Sequence, residues 1–173
     1  MNGLPLIDPE TATGDTAELL AAAQQACGLT PNLSRVLANS PAVLRGYLGF
    51  GRALREGGSL PAAVRQQISL MVAQHYGSEY GLSAHTFLGT KLAGLSEEEA
   101  ARARRGESRD PQAAAALALA SSLLHRWEPA TAGGLTPAQV VETVAEVALA
   151  TLRVHLANAG RIPNDWPLVR PTD

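Results

Sequence analysis

Between Leu135 and about Asn158 the chain reads as a single long helix that is apolar on nearly every side. Thr136 caps it, Pro137 takes the first position, where a missing N–H costs nothing, and Gln139 completes a capping box. Val141, Val144, Val147, Leu149 and Leu152 fill its body, while Gln139, Glu142, Glu146 and Arg153 form a narrow polar strip. A helix of this kind is central to its domain or shared with a second subunit.

The remaining sequence is punctuated for helices too. Asp15 or Thr16 opens one that runs to Cys27 and stops at Gly28. Asn32 opens a short one ending at Asn39-Ser40, and Ser40-Pro41 starts a third that ends at Gly57-Gly58. Gly46, Gly49 and Gly51 on one flank of the third point either to close approach of another backbone or to a merely soft helix. A fourth helix runs from Pro61 to about Tyr76, with Val64, Ile68, Met71 and Val72 at the intervals of a buried face. Ser96 and Glu99 form a Ser-x-x-Glu box, and Asp110-Pro111 begins an alanine-rich helix extending to Trp127, followed by a loop over Pro129 to Gly134. Residues 1–13 lack periodicity and are expected to be a loosely held, flexible arm, with 14–173 forming one domain. No alternating strand pattern occurs, so the fold class is all-α, with about six to eight helices.

Chemistry concentrates in Gly77-Ser78-Glu79-Tyr80-Gly81-Leu82-Ser83-Ala84-His85. Ser78, Gly81 and His85 fall seven and four residues apart, on one face of a helix. An inward histidine on that stripe is either a core residue bonded to a carbonyl or an acid–base group beside a small cavity. A mid-helix glycine at 81 implies that a neighbouring side chain or a small ligand fills its place, because glycine costs about 1 kcal/mol against alanine. Ser78 is read as a helix cap, since a Ser–His pair has no evident acidic third partner. His75, His155 and Asn158 are further residues that can lean toward the same site. No Cys/His cluster has metal-ligand spacing, so no metal is expected.

These residues carry a resemblance. Leu60 to Leu70, Gly77 to His85 and Gly94 to Glu99, with the lead-in Pro31 to Pro41 and the closing Asp165-Trp166-Pro167, resemble the AhpD-like / carboxymuconolactone decarboxylase superfamily. The resemblance implies an AhpD-like helical bundle, a homo-oligomer (trimer or hexamer) and a small-molecule ligand. Its peroxidase branch has a glutamate, a Cys-x-x-Cys twelve residues later and then a histidine; here those positions hold Gln66, Ser78, Gly81 and His85. The dithiol is missing, together with the assisting carboxylate. The decarboxylase branch also lacks the cysteines. By that resemblance His85 is expected as general acid or base, oriented by Glu79 or a second subunit, with Ser78, Gly81, Tyr80, Gln66 and His75 as binding residues. The activity implied is that of a cofactor-free lyase or isomerase acting on a small carboxylate or lactone. The alternatives are a catalytically quiet oligomeric relative, and an alkylhydroperoxidase-type antioxidant that uses an external thiol.

Composition adds exclusions. With 173 residues the chain buries a core unaided, and a net charge of −2 gives no electrostatic reason for nucleic acid or an anionic membrane as partner. The basic run Arg102 to Arg109 is diluted by acids and has no stacking aromatics. A single cysteine, Cys27, excludes an internal disulfide and reads as a packing residue. No leader or long apolar run is evident, so a cytoplasmic protein is expected.

Overall fold

The structure, a computed structural model, describes residues 3–125 and 133–172. Among them are eight helices and no strand: α1 Gly14–Cys27, α2 Asn32–Leu37, α3 Pro41–Gly57, α4 Ala62–His75, α5 Glu79–Lys91, α6 Glu97–Arg104, α7 Pro111–His125 and α8 Pro137–Gly160. The expected helix through Trp127 is described as far as His125; Trp127 and most of the loop to Gly134 lie outside the described residues.

Punctuation in the sequence sets these boundaries. Gly28 ends α1 at φ 77°, a left-handed turn open to glycine, and its N–H reaches Gln24 O at 2.8 Å. Thr136 and Gln139 form the full capping box of α8. At α6 only half of the expected box exists: Ser96 Oγ accepts from Glu99 N, while the Glu99 carboxylate turns away to accept from Ser108 Oγ at 2.8 Å. Ser40 likewise makes no side-chain cap on α3.

Helix α4 is the centre. It packs against α5, α6, α7 and α8, with Ile68, Leu70 and Val72 fully buried, each worth roughly 1.5–3 kcal/mol of transfer free energy. A second core gathers α1, α2 and α3 around Leu20, Leu44, Tyr80 and Trp166. Two corrections to the sequence reading follow. The N-terminal arm is docked, because Leu4 N donates to Gly160 O, Arg35 Nε to Ile7 O and Asn39 Nδ2 to Pro5 O. The three glycines of α3 do not mark a close backbone approach, since only Gly51 is buried and Gly46 and Gly49 face open space.

Helix α8 has an inverted pattern. Glu146 is 4 % exposed and Gln139 8 %, whereas Val141 is 68 % and Val144 43 % exposed. Part of its polar strip therefore faces the interior, and part of its apolar face looks outward.

Candidate functional site

Ser78 sits at the break between α4 and α5, fully buried, and its Oγ accepts from Gly81 N at 3.3 Å. It is a helix cap, and its hydroxyl is spent on that bond. One turn further on, a Cβ on Gly81 would stand 2.9 Å from Ala73 Cβ and 3.2 Å from Val154 Cγ1. The glycine is thus explained by two neighbouring side chains, one from α4 and one from α8. A ligand is not needed to account for it.

His85 follows on the same face, 7 % exposed. Its Nδ1 is 2.8 Å from Gln66 Oε1. With the amide oxygen accepting, Nδ1 carries the proton and Nε2 presents its lone pair. Nε2 has no partner among the described residues, and the ring lines a cavity of about 270 Å³. Burial, and after it the charge of Arg153, lowers the imidazole from 6.5 to about 3, so the ring is neutral at pH 7.

The cavity lies between α1, α2, α3, α4, α5 and α8, slightly below the roughly 300–1,000 Å³ usual for small-molecule sites. Leu48, Leu88 and Trp166 supply apolar wall; Arg55, Arg65, Arg153 and Glu146 supply charge. Arg65 Nε stands 3.6 Å from Glu146 Oε1, both side chains nearly buried. Burial raises the Glu146 carboxyl against the opposing pull of Arg153, Arg65 and Arg55. Arg153 is held by neutral groups only: Nη1 donates to Ser69 Oγ at 3.3 Å, Nε to Tyr47 OH at 3.4 Å, and its guanidinium carbon lies 5.7 Å from the Tyr47 ring centroid.

Of the residues expected from sequence, His85, Gln66, Gly81 and Tyr80 come together on this cavity. Tyr80 is anchored there by accepting from Leu33 N at 3.2 Å, and burial raises its phenol well above the ordinary value. Two expectations are corrected. Glu79 does not orient His85 within the chain: it is half-exposed at the start of α5 and faces Arg170 at 3.9 Å. His75 lies outside the cavity, its ring against Tyr76 and His125 with centroids 4.8 Å away. His155 packs on Tyr76 and Asn158 bonds its carbonyl, so neither reaches the site.

Cys27 moves the other way. Expected as mere packing, it lines the same cavity as His85, with its thiol raised by burial and pulled back by Arg55 and Arg153. Sequence reasoning also missed Arg55, Arg65, Arg153 and Glu146. For the α8 pair the available signal was the polar strip on a helix otherwise apolar all round. Trp166 lines the cavity and packs on Phe87, and beside it Asp165 Oδ2 accepts from Asn32 N at 2.6 Å. Among the described residues no group of three potential ligands could hold a metal ion, and no helix is long and apolar enough to cross a membrane.

This architecture is the AhpD-like helical fold. An AhpD-core, peroxidase-related protein from Ralstonia eutropha superposes with a TM-score of 0.78 at 19 % identity, covering 93 % of this chain and 91 % of that one. A peroxidase-related protein from Silicibacter gives 0.76 at 18 % identity, over 92 % and 88 %. The debrominase Bmp8, as a cysteine-to-alanine variant in complex with 2,3,4-tribromopyrrole, gives 0.72 at 16 % identity, over 86 % and 84 %. No family model matches the sequence, nor does any curated protein.

Proposed function

We propose that the protein is a cofactor-free small-molecule enzyme of the carboxymuconolactone decarboxylase kind, a lyase or isomerase in which His85 Nε2 moves a proton on a small carboxylate or lactone. The observation that carries this reading is the Gln66–His85 bond, which fixes the imidazole through Nδ1 and leaves Nε2 without a partner among the described residues, on a ring that lines the cavity. In the forward step Nε2 takes a proton from the substrate carbon, and the ring becomes imidazolium with Nδ1–H still donating to Gln66. Returning the proton at another carbon completes an isomerisation; a decarboxylation takes one further proton, from solvent, on the carbon that keeps the bonding electron pair as carbon dioxide leaves. A positioned general base of this type contributes about 10²–10⁴ in rate. The test is exchange of substrate C–H for deuterium, followed by NMR on a panel of small carboxylates and lactones. Exchange present in the wild type and abolished in His85→Gln supports the reading; exchange that survives the substitution overturns it.

Cys27 on the cavity wall favours a second reading, a peroxide-reducing protein with one resident thiol and an external thiol as reductant. Thiol-dependent peroxide consumption lost in Cys27→Ser would establish it. The exposed Val43 and Phe50 of α3, with Val141, Val144 and Leu152 of α8, support the self-association expected from the resemblance, to be read by sedimentation.

A further inference from the structure

Three guanidiniums and one carboxylate line the cavity. Arg65 and Glu146 face each other at 3.6 Å, and Glu146 also feels the charges of Arg153 and Arg55, that of Arg153 most strongly. Arg55 lies at the exposed end of the charge set, on the last turn of α3. Arg153 is different: partly buried, it has two long hydrogen bonds to hydroxyls and no carboxylate partner among the described residues. A buried cation is ordinarily paired, because isolated charge in a low-dielectric setting is costly. Glu146, seven residues earlier on the same stripe of α8, would be the natural counter-ion, yet its near contact is with Arg65. Glu146 acts on Arg153 through space, and no carboxylate among the described residues lies within ion-pair distance of its guanidinium.

We propose that Arg153 is the seat for the anionic group of the ligand, and that the anion it holds makes His85 competent to take a proton. This rests on the acid–base reading of His85 and deepens it. Around the cavity the imidazole shares the lining with Arg153 and Glu146 of α8, Arg65 of α4, Arg55 of α3, Cys27 of α1 and Tyr80 of its own helix. Of these groups Arg153 is the charge that opposes protonation of the ring, in the same sense as burial. A carboxylate bound to that guanidinium cancels its field and places a negative charge near the ring. Substrate would thus arrive with the counter-ion that the Gln66 side chain does not supply, and the histidine would act as a base only when the site is filled. The planar guanidinium suits a carboxylate in two-pronged geometry, and the apolar wall of Leu48, Leu88 and Trp166 suits a hydrocarbon body.

The experiment is titration calorimetry of the full chain with acetate and benzoate and with the neutral amides acetamide and benzamide, in buffers of different ionisation enthalpy at pH 5.5. A carboxylate should bind at least about tenfold tighter than its amide, and Arg153→Gln should erase most of that preference. Arg153→Lys, which keeps the charge, should retain part of it, so a general loss of folding is distinguishable from loss of the seat. Binding of the carboxylate should take up protons in the wild type and not in His85→Gln, which should still bind it. Equal affinity for acid and amide, or no binding of either carboxylate, overturns the anion seat. Carboxylate binding without proton uptake overturns its coupling to His85. If the exchange assay finds no turnover while these binding results hold, the catalytic reading fails and the anion seat stands.

Discussion

Gln66 Oε1 stands 2.8 Å from His85 Nδ1, so a neutral amide occupies the position from which a carboxylate would favour the protonated ring. Gln66→Glu keeps the length of the side chain and adds that charge. An opposite charge at hydrogen-bond distance moves a histidine upward by about 1–3 units in a partly desolvated site. His85 should then titrate well above its value of about 3, as read from its imidazole resonances by NMR. An unchanged titration would mean that the amide does not hold the ring in solution.

The unprotonated ring also links folding to pH. His85 has a lower proton affinity folded than unfolded, with values of about 3 against 6.5. Its contribution is therefore complete above about pH 6.5 and is lost as pH falls toward 3, because the unfolded chain takes the proton first. The full excursion is on the order of 5 kcal/mol. His85→Gln should flatten this part of the urea-denaturation profile relative to wild type, with the two curves diverging most between pH 6.5 and pH 3. Parallel curves would show that the imidazole is solvated.

Rebuilding the missing thiol pair should fail for steric reasons. Any Cβ at position 81 lies 2.9 Å from Ala73 Cβ and 3.2 Å from Val154 Cγ1, and the former is anchored to the α4 backbone. Gly81→Ala gains about 1 kcal/mol of helix propensity but overpacks the α4–α5 contact, which typically costs about 1–3 kcal/mol. A net loss of stability is expected in urea denaturation. Ala73→Gly should relieve part of it, giving favourable coupling in a double-mutant cycle.

The helices were legible because caps and breakers are local: Gly28, Ser78, Thr136 and Pro137 each act within a few residues of themselves. His85 was legible through spacing, and Gln66 through the resemblance that marks its position. The arginine set was not, because Arg55, Arg65 and Arg153 come from three helices and meet only once α3, α4 and α8 are packed. On α8 the usual relation of polar to outside inverts, so the narrow strip holding Glu146 and Arg153 gave no sign that it faces a cavity. Glu79 misled in the opposite way: next to the right residues in sequence, it projects from the far side of α5.

The Arg65–Glu146 contact gives another test. At 3.6 Å, with side chains 14 % and 6 % exposed, the pair sits in a wall where a single unmatched charge is expensive. Removing one partner of such a pair costs about 3–5 kcal/mol, whereas replacing both by apolar groups is often near neutral. Arg65→Met and Glu146→Leu should each be strongly destabilising alone and much less so together, as measured by urea midpoints. Arg65 also donates to Leu60 O at 2.6 Å, so its single substitution carries the added loss of a tie to the start of α4. Additive losses would place the pair in solvent.

Cys27 reports on the same electrostatics from across the cavity. Burial raises its thiol, and Arg55 and Arg153 oppose that rise by favouring the thiolate. Alkylation by iodoacetamide proceeds through the thiolate, so the wild-type rate at pH 8 should fall below that of a free thiol. Arg153→Gln removes one of the two cations and should slow alkylation further, although the smaller side chain opens the cavity. A faster rate would mean that access, not charge, limits the thiol. Because Cys27 and Arg153 line one cavity, benzoate bound at Arg153 should slow the reaction twice over, by neutralising the guanidinium and by occupying the space beside the sulfur. Arg55→Gln separates the two effects. It lowers the thiolate population without touching the proposed seat, so protection by benzoate should persist in that variant and disappear in Arg153→Gln.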